Sequence, residues 1–282
     1  MPIQFSPVIA VGQRPLPGFS SLLYVDLEAL GVAASPVAVL DDFRVPGLPF
    51  SPHPHAGFAA VTYVLEDSPG AVRSRASLGA DLVVGPGGIV WTHAGSGVVH
   101  EEIPAEPGRE LHGVQIFVNL SAKNKLTPPQ VLYLQPDQVP QWHSNAGDRV
   151  RVVTGSFEGV SSPLLPVEPF TLLDARLLRE ITLDLPAAHN AVVYVLSGSV
   201  VARADGHSEK AGGGHALALR GSGRVTLEAA ERAHLLVLSG PQIREPVVTE
   251  GPFIMNQPSQ VREAITRYRT GAMGQLAPLA GR

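Results

Sequence analysis

Short apolar runs rich in Val, Leu, Ile and Tyr recur along the whole chain, each cut off by polar, glycine- or proline-bearing turns. Runs of that length and composition predict strands at Val37–Phe43, Ala60–Leu65, Ile89–Trp91, Gly113–Leu120, Val150–Phe157, Val192–Leu196, Val200–Ala204, Ala216–Leu219 and His234–Leu238. Helical periodicity is rare. It is clearest over Ser259–Thr270, where Val261, Ile265 and Tyr268 recur at helical spacing behind Pro258 and Ser259. Leu22–Leu30 fits a short helix or an extended piece equally well. The pattern is that of an all-β protein with many turns.

The pattern also repeats. Val61-Thr62-Tyr63-Val64-Leu65 resembles Val193-Tyr194-Val195-Leu196, with the tyrosines 131 residues apart. The turn Gly95-Ser96-Gly97 returns as Gly221-Ser222-Gly223, 126 residues on. In both halves a cluster (Pro86-Gly87-Gly88, then Gly212-Gly213-Gly214) precedes a short apolar strand and then that turn. Two matches in one order at nearly one offset predict a duplicated β-barrel, residues 1–130 and 131–282. A long proline-bearing connection, Pro128–Pro169, lies between the halves, and the helix follows the second.

Composition narrows the chemistry. With 282 residues and 44% hydrophobic content the chain can bury a substantial core in each half. A net charge of −4 without clustered Lys and Arg gives no grip on a phosphate backbone, so direct nucleic-acid binding is not expected. There is no cysteine, which excludes disulfides, zinc ribbons, iron–sulfur clusters and thiol nucleophiles. Any metal must be held by nitrogen and oxygen. Met1–Val11 lacks the basic start and apolar core of a secretory signal, and no apolar run reaches membrane-spanning length. The expected location is cytoplasmic.

Such a nitrogen and oxygen set exists. His53-Pro54-His55 puts two imidazoles at i and i+2, and a residue before proline prefers extended backbone, so both rings leave one strand face. His100-Glu101-Glu102 offers a second pair, His100 with Glu102, while Glu101 should point away. Two such pairs on neighbouring barrel strands would converge three nitrogens and one carboxylate oxygen. That set leaves positions open on an octahedral ion such as Fe(II), Mn(II), Ni(II) or Cu(II). The repeat supplies a control. Shifting His53 and His55 by 131 gives Asp184 and Pro186, and shifting His100 by 126 gives Thr226. Only the first half carries the constellation.

The motifs around these residues are specific. His53-Pro54-His55-Ala56-Gly57-Phe58, Val61-Thr62-Tyr63-Val64-Leu65-Glu66 and Trp91-Thr92-His93-Ala94-Gly95-Ser96-Gly97-Val98-Val99-His100-Glu101-Glu102-Ile103-Pro104 resemble the pirin family. Arg244-Glu245-Pro246-Val247 and Gly251-Pro252-Phe253-Ile254-Met255-Asn256 extend the likeness from about Val37 to Arg269. The resemblance implies two stacked cupin (double-stranded β-helix, jelly-roll) barrels with one divalent metal in the first. Iron(II) is the first expectation, and Ni, Mn, Cu or Zn are alternatives. His53, His55, His100 and Glu102 fall on the family's four ligand positions. The resemblance further implies either a quercetin (flavonol) 2,3-dioxygenase using O2 or a metal- and redox-sensing regulatory protein that binds a protein partner.

Departures from the family pattern surround the site. Ala56 and Ala59 stand where Arg and Glu are usual, Gly88 where Asp is usual, and Val90 where Gln is usual. His93 replaces a usual Thr and is read either as a satisfied histidine at a strand end or as an acid–base residue. Glu102 and His93 are therefore the candidate catalytic residues, with Glu102 able to accept a flavonol hydroxyl proton. His112 has a weaker claim of the same kind, and Glu66 is read as a turn carboxylate. Phe58, Trp91, Ile116 and Phe117 are candidates to line a pocket.

Overall fold

The computed structural model describes residues 1–47, 51–277 and 279. Two antiparallel sheets form the first barrel. The larger runs Gln130–Leu134, Ile89–His93, Phe58–Val64, Leu111–Asn119, Val37–Val45, Ser21–Tyr24 and Gly12–Gln13, in spatial order. The smaller runs His53–His55, Val98–Pro104, Val72–Ala76 and Asp81–Val84. A ten-stranded sheet builds the second barrel, in which Glu180–Ser197 and His215–Ala229 are long strands paired with each other. This is the doubled all-β architecture that the repeat predicts.

Alternation along the strands decides which face goes where. In Phe58–Val64 both faces are buried, so the run reads as apolar throughout rather than as a half-exposed strand. Val61 and Tyr63 join Trp91, Ile116 and Val118 in a core shared with Leu172, Val192, Tyr194, Ala218, Leu236 and Leu238 of the second barrel. The opposite face of the same sheet carries Val64 and Val90, which pack with Phe43, Val72 and Leu111 inside the first barrel. One sheet thus serves two cores.

The repeat is visible in backbone as well as pairing. Gly57, after the paired histidines, has φ +85°, and Ala188, 131 residues later, has φ +62°. In the second barrel the intervening residues form an irregularity within one strand, between Leu185 and His189, whereas in the first Gly57 separates two strands. The segment 22–30, undecided from pattern, divides into the strand Ser21–Tyr24 and a single helical turn, Leu27–Leu30, capped by Asp26. Val150–Phe157 likewise resolves into Arg149–Thr154 and Ser156–Phe157. Strands such as Val72–Ala76, Asp81–Val84 and Thr171–Leu177 carry alternating polar or charged residues that hid them from a search for apolar runs.

The chain ends cross between barrels. Gln4–Phe5 and Ile9–Ala10 pair with His215–Ala229 of the second sheet. Conversely, the helix Pro258–Arg269, expected after the second barrel, packs on the first: Val261 and Ala264 bury against Ala56, Val99, Phe253 and Met255. An isolated parallel bridge joins Ala56 to Phe253. Lys125, fully buried, ties this arm down by donating to the carbonyls of Gly57 and Ile254 (2.9 Å each) and to Asn119 Oδ1 (2.5 Å). No helix among the described residues is long and apolar enough to cross a membrane.

Candidate metal centre and cavity

Pro54 holds the His53–His55 strand extended, and its register against Val98–Pro104 does the rest. His53 lies directly opposite His100, and His55 opposite Val98, so all three imidazoles share one face. The ring centroids lie 4.7–4.8 Å apart, and one nitrogen from each ring falls within 4.8 Å of the others. Gly57 allows the approach. A Cβ there would sit 2.0 Å from the Ile254 carbonyl oxygen, so the turn out of the histidine strand admits only glycine.

These rings are arranged to offer lone pairs. Nδ1 of His53 donates to the Ser51 carbonyl at 3.0 Å, which leaves the lone pair on Nε2. Nδ1 of His55 and both ring nitrogens of His100 are buried with no hydrogen-bond partner. Burial holds all three imidazoles below the usual histidine range, His55 down to about 3, so they are neutral, the form that binds metal. Buried polar atoms are normally satisfied, and one lone-pair nitrogen from each of the three neighbouring rings fits a single cation. Phe58 and Phe117 brace His55 edge-on, at 5.0 and 5.3 Å between centroids.

Glu102 shares the same face two residues on, opposite Ser74. It accepts a hydrogen bond from the Thr62 hydroxyl through Oε2, while Oε1 is buried and unpartnered. Burial pushes its carboxyl up to about 7, against the opposing hydrogen bonds of Thr62 and Ser74. Its neighbour Glu101 points away, as the alternation requires, and pairs with Arg75 across the ladder. The tight nitrogen cluster contains the histidines alone; Glu102 joins them as a wall of one cavity of about 530 Å³. Thr62 and Gln115 add polar groups there, and Leu16, Phe19, Val39, Phe43, Leu111 and Phe117 supply apolar walls.

Other candidates go elsewhere. His93 is buried and bonded through Nε2 to Thr127 Oγ1 at 2.8 Å, and it does not line the cavity. Its strand parity turns it toward the connection after the barrel, so the structure does not bring this candidate catalytic residue to the site. His112 is gripped by Asp67 (3.0 Å) and Asp42 (3.1 Å). Glu66 is the turn carboxylate the sequence suggested, and from that turn it meets Arg149, Arg151 and Arg176 of the second barrel. Of the four proposed pocket residues only Phe117 lines the cavity; Trp91 and Ile116 face the core between barrels, and Phe58 stands behind His55.

The altered positions also find their place. Ala56 packs against the C-terminal arm, Ala59 in the core between barrels and Val90 within the first barrel. A Cβ on Gly88 would meet Val84 Cγ1 at 2.4 Å and the Leu134 carbonyl at 2.7 Å. None of the four lines the cavity. Sequence reasoning missed Arg14, Asp41, Thr62 and Gln115, all of which do. A signal existed for Thr62, a polar residue in an otherwise apolar strand; Asp41 and Gln115 stand in strands with other polar residues and were not set apart.

Two stacked β-barrels, one of them holding a three-histidine cluster that could bind a metal, define the class of double cupins. Comparison with known proteins narrows it. Residues 13–118 match the Pirin family and residues 173–274 the pirin C-terminal cupin domain. Human pirin is 31% identical over 245 residues, covering 85% of this chain and 83% of its own length. A Pseudomonas aeruginosa protein provisionally named a quercetin 2,3-dioxygenase is 35% identical over 231 residues, covering 79% of this chain and 80% of its own. The crystal structure of a quercetin 2,3-dioxygenase from Acinetobacter baumannii superimposes with a TM-score of 0.85 at 26% identity, over 98% of this chain and 100% of that one. The chain belongs to the pirin family.

Proposed function

We propose that His53, His55, His100 and Glu102 hold one divalent transition metal, iron(II) first among the candidates, and that the protein is a flavonol 2,3-dioxygenase. The observation that carries this reading is the convergence of the His53, His55 and His100 imidazoles at one point of a mostly apolar cavity that Glu102 also lines. A bacterial pirin of Escherichia coli has been crystallised with nickel(II), which agrees with a nitrogen-rich site of this kind in the family. Bound at these residues, such a metal supplies Lewis acidity and, when redox-active, a route for electrons between an aromatic substrate and dioxygen.

The protein's own groups have separate tasks. The histidines are neutral and fixed, His53 by Ser51 and His55 by two phenylalanines. Oε1 of Glu102 accepts the proton of the flavonol 3-hydroxyl, while the Thr62 hydroxyl keeps its hold on Oε2. Gln115 steadies Thr62, accepting from its hydroxyl (3.2 Å) and donating to the Val61 carbonyl (3.0 Å). The apolar walls hold the flat ring system and keep water off the deprotonated enolate.

Elemental analysis of protein purified without a metal-binding tag should find about one metal per chain, lost on dialysis against a chelator and absent from His100→Ala. The melting temperature should rise when metal is returned to the wild type and not to the variant. Quercetin should be consumed under air and not under nitrogen, with Glu102→Gln slowing turnover about a hundredfold. Fully metallated protein that leaves quercetin untouched under air would exclude the dioxygenase reading.

A further inference from the structure

The cavity has a second polar end. Asp41 faces it from the strand Val37–Val45, and Arg14 from the N-terminal hairpin. The ladders set their position. Asp41 is paired with Gln115, and Gln115 in turn with Thr62, so these three form one row across adjacent strands on the cavity face. The row ends at Glu102, through the Thr62 hydroxyl. Neighbouring strands lie about 4.8 Å apart, which places Asp41 about 10 Å from Thr62. That separation suits a fused aromatic bicycle chelated at one end and carrying a hydroxyl at the other.

Asp41 is an unusual wall for such a cavity. Its carboxylate makes no hydrogen bond to the described residues. Burial pushes it up to about 6, and the charge of Arg14 is what opposes that rise. Arg14 is itself held: its guanidinium lies 4.9 Å from the centre of the Tyr24 ring, and Tyr24 sits opposite Asp41 in the sheet. The Tyr24 ring can lie there because residue 12 is glycine; a Cβ would come within 2.4 Å of it. The hairpin thus places a cation on the same cavity wall as a carboxylate that accepts no hydrogen bond from the described residues. A half-buried carboxylate lining a cavity without a hydrogen-bond partner in the protein is free to accept from a ligand.

We propose that Asp41, steadied by Arg14, accepts a hydrogen bond from a hydroxyl at the far end of the ligand, so that the cavity selects planar aromatics with a phenolic hydroxyl remote from their chelating oxygens. This rests on the flavonol reading of the same site and adds its specificity. The selecting residues are distinct from the metal-holding ones. The positive charge of Arg14 favours the ionised carboxylate, against the burial that disfavours it.

The test uses nickel-loaded protein under nitrogen, so that binding is read without turnover, by the absorbance shift of the flavonol. Quercetin, which carries hydroxyls on its outer rings, is compared with 3-hydroxyflavone, which keeps only the chelating pair. The wild type should prefer quercetin by about tenfold or more, as a hydrogen bond to a charged group requires. In Asp41→Asn and in Arg14→Met that ratio should fall toward one, with metal content unchanged. A ratio that survives both substitutions, or a wild type with no preference, overturns the proposal and leaves the flavonol reading standing. If the wild type binds neither flavonol, both fall together.

Discussion

At the scale of single residues, the site depends on polar atoms placed where their own protein does not satisfy them. His55 Nδ1, both nitrogens of His100 and Glu102 Oε1 are buried and unpartnered, a costly state unless something else completes it. Asp41 shows the same cost through its proton. Burial raises its carboxyl from 3.8 to about 6, so the folded chain binds that proton more tightly than the unfolded one. The stability this confers is complete below pH 4 and disappears as pH rises through 6. Asp41→Asn removes the dependence. Thermal melts of metal-loaded protein should therefore show Asp41→Asn matching wild type at the acidic end and exceeding it at pH 7.5; equal melting temperatures at pH 7.5 would contradict the assignment. A stabilising change at a residue proposed to bind ligand is the expected trade between stability and function.

At the scale of elements, the C-terminal arm is part of the first barrel's architecture. The helix Pro258–Arg269 buries Val261 and Ala264 behind the histidine strand, and Lys125 fastens the arm to Gly57 at the exit from that strand. Its ammonium is buried enough to bring it down to about 8, partly restored by Glu245 and Glu168. Lys125→Met relieves a buried charge but takes a donor from two carbonyls and from the Asn119 amide oxygen, which keeps only the Leu120 N–H. The second effect is larger, since each buried acceptor left open costs about 1–3 kcal/mol. Urea unfolding should show a net loss of about 2 kcal/mol or more, and limited proteolysis should cut the arm sooner than in wild type. An unchanged midpoint would mean that apolar packing alone holds the arm. The helix itself was legible from its periodicity and from Pro258; its place on the first barrel was not, because an amphipathic face does not say which surface it will cover.

At the scale of the molecule, the two barrels exchange hydrogen bonds reciprocally. Tyr63 of the first donates to Asp174 of the second (2.7 Å), which also meets His234 (2.7 Å). Tyr194 of the second donates to Asp42 of the first (2.8 Å), which also meets His112 (3.1 Å). Burial works to raise Asp174, but its hydrogen bonds from His234 and Tyr63 hold it below the usual carboxylate range. Glu66 adds a third link, to three arginines. Tyr63→Phe and Tyr194→Phe should each cost about 1–2 kcal/mol in denaturant unfolding, and the double variant about their sum, because the two networks share no partner. A double variant no weaker than either single one would show that the networks act as one.

The tyrosines 131 residues apart show where sequence ended and structure began. Their repetition, with the Gly-Ser-Gly turns, determined a duplicated barrel, and the i, i+2 spacing of His53, His55, His100 and Glu102 determined which half carries the histidine cluster and that Glu101 turns away. Both follow from local rules, strand alternation and glycine's backbone freedom, which act between near neighbours in sequence. Only the tertiary structure decided that each tyrosine reaches into the opposite barrel, that His93 turns to Thr127, and that Arg14 and Asp41 line the same cavity as the histidines. Those outcomes depend on sheet register and on which faces stack. Residues far apart in the chain set both jointly, and no single segment encodes either.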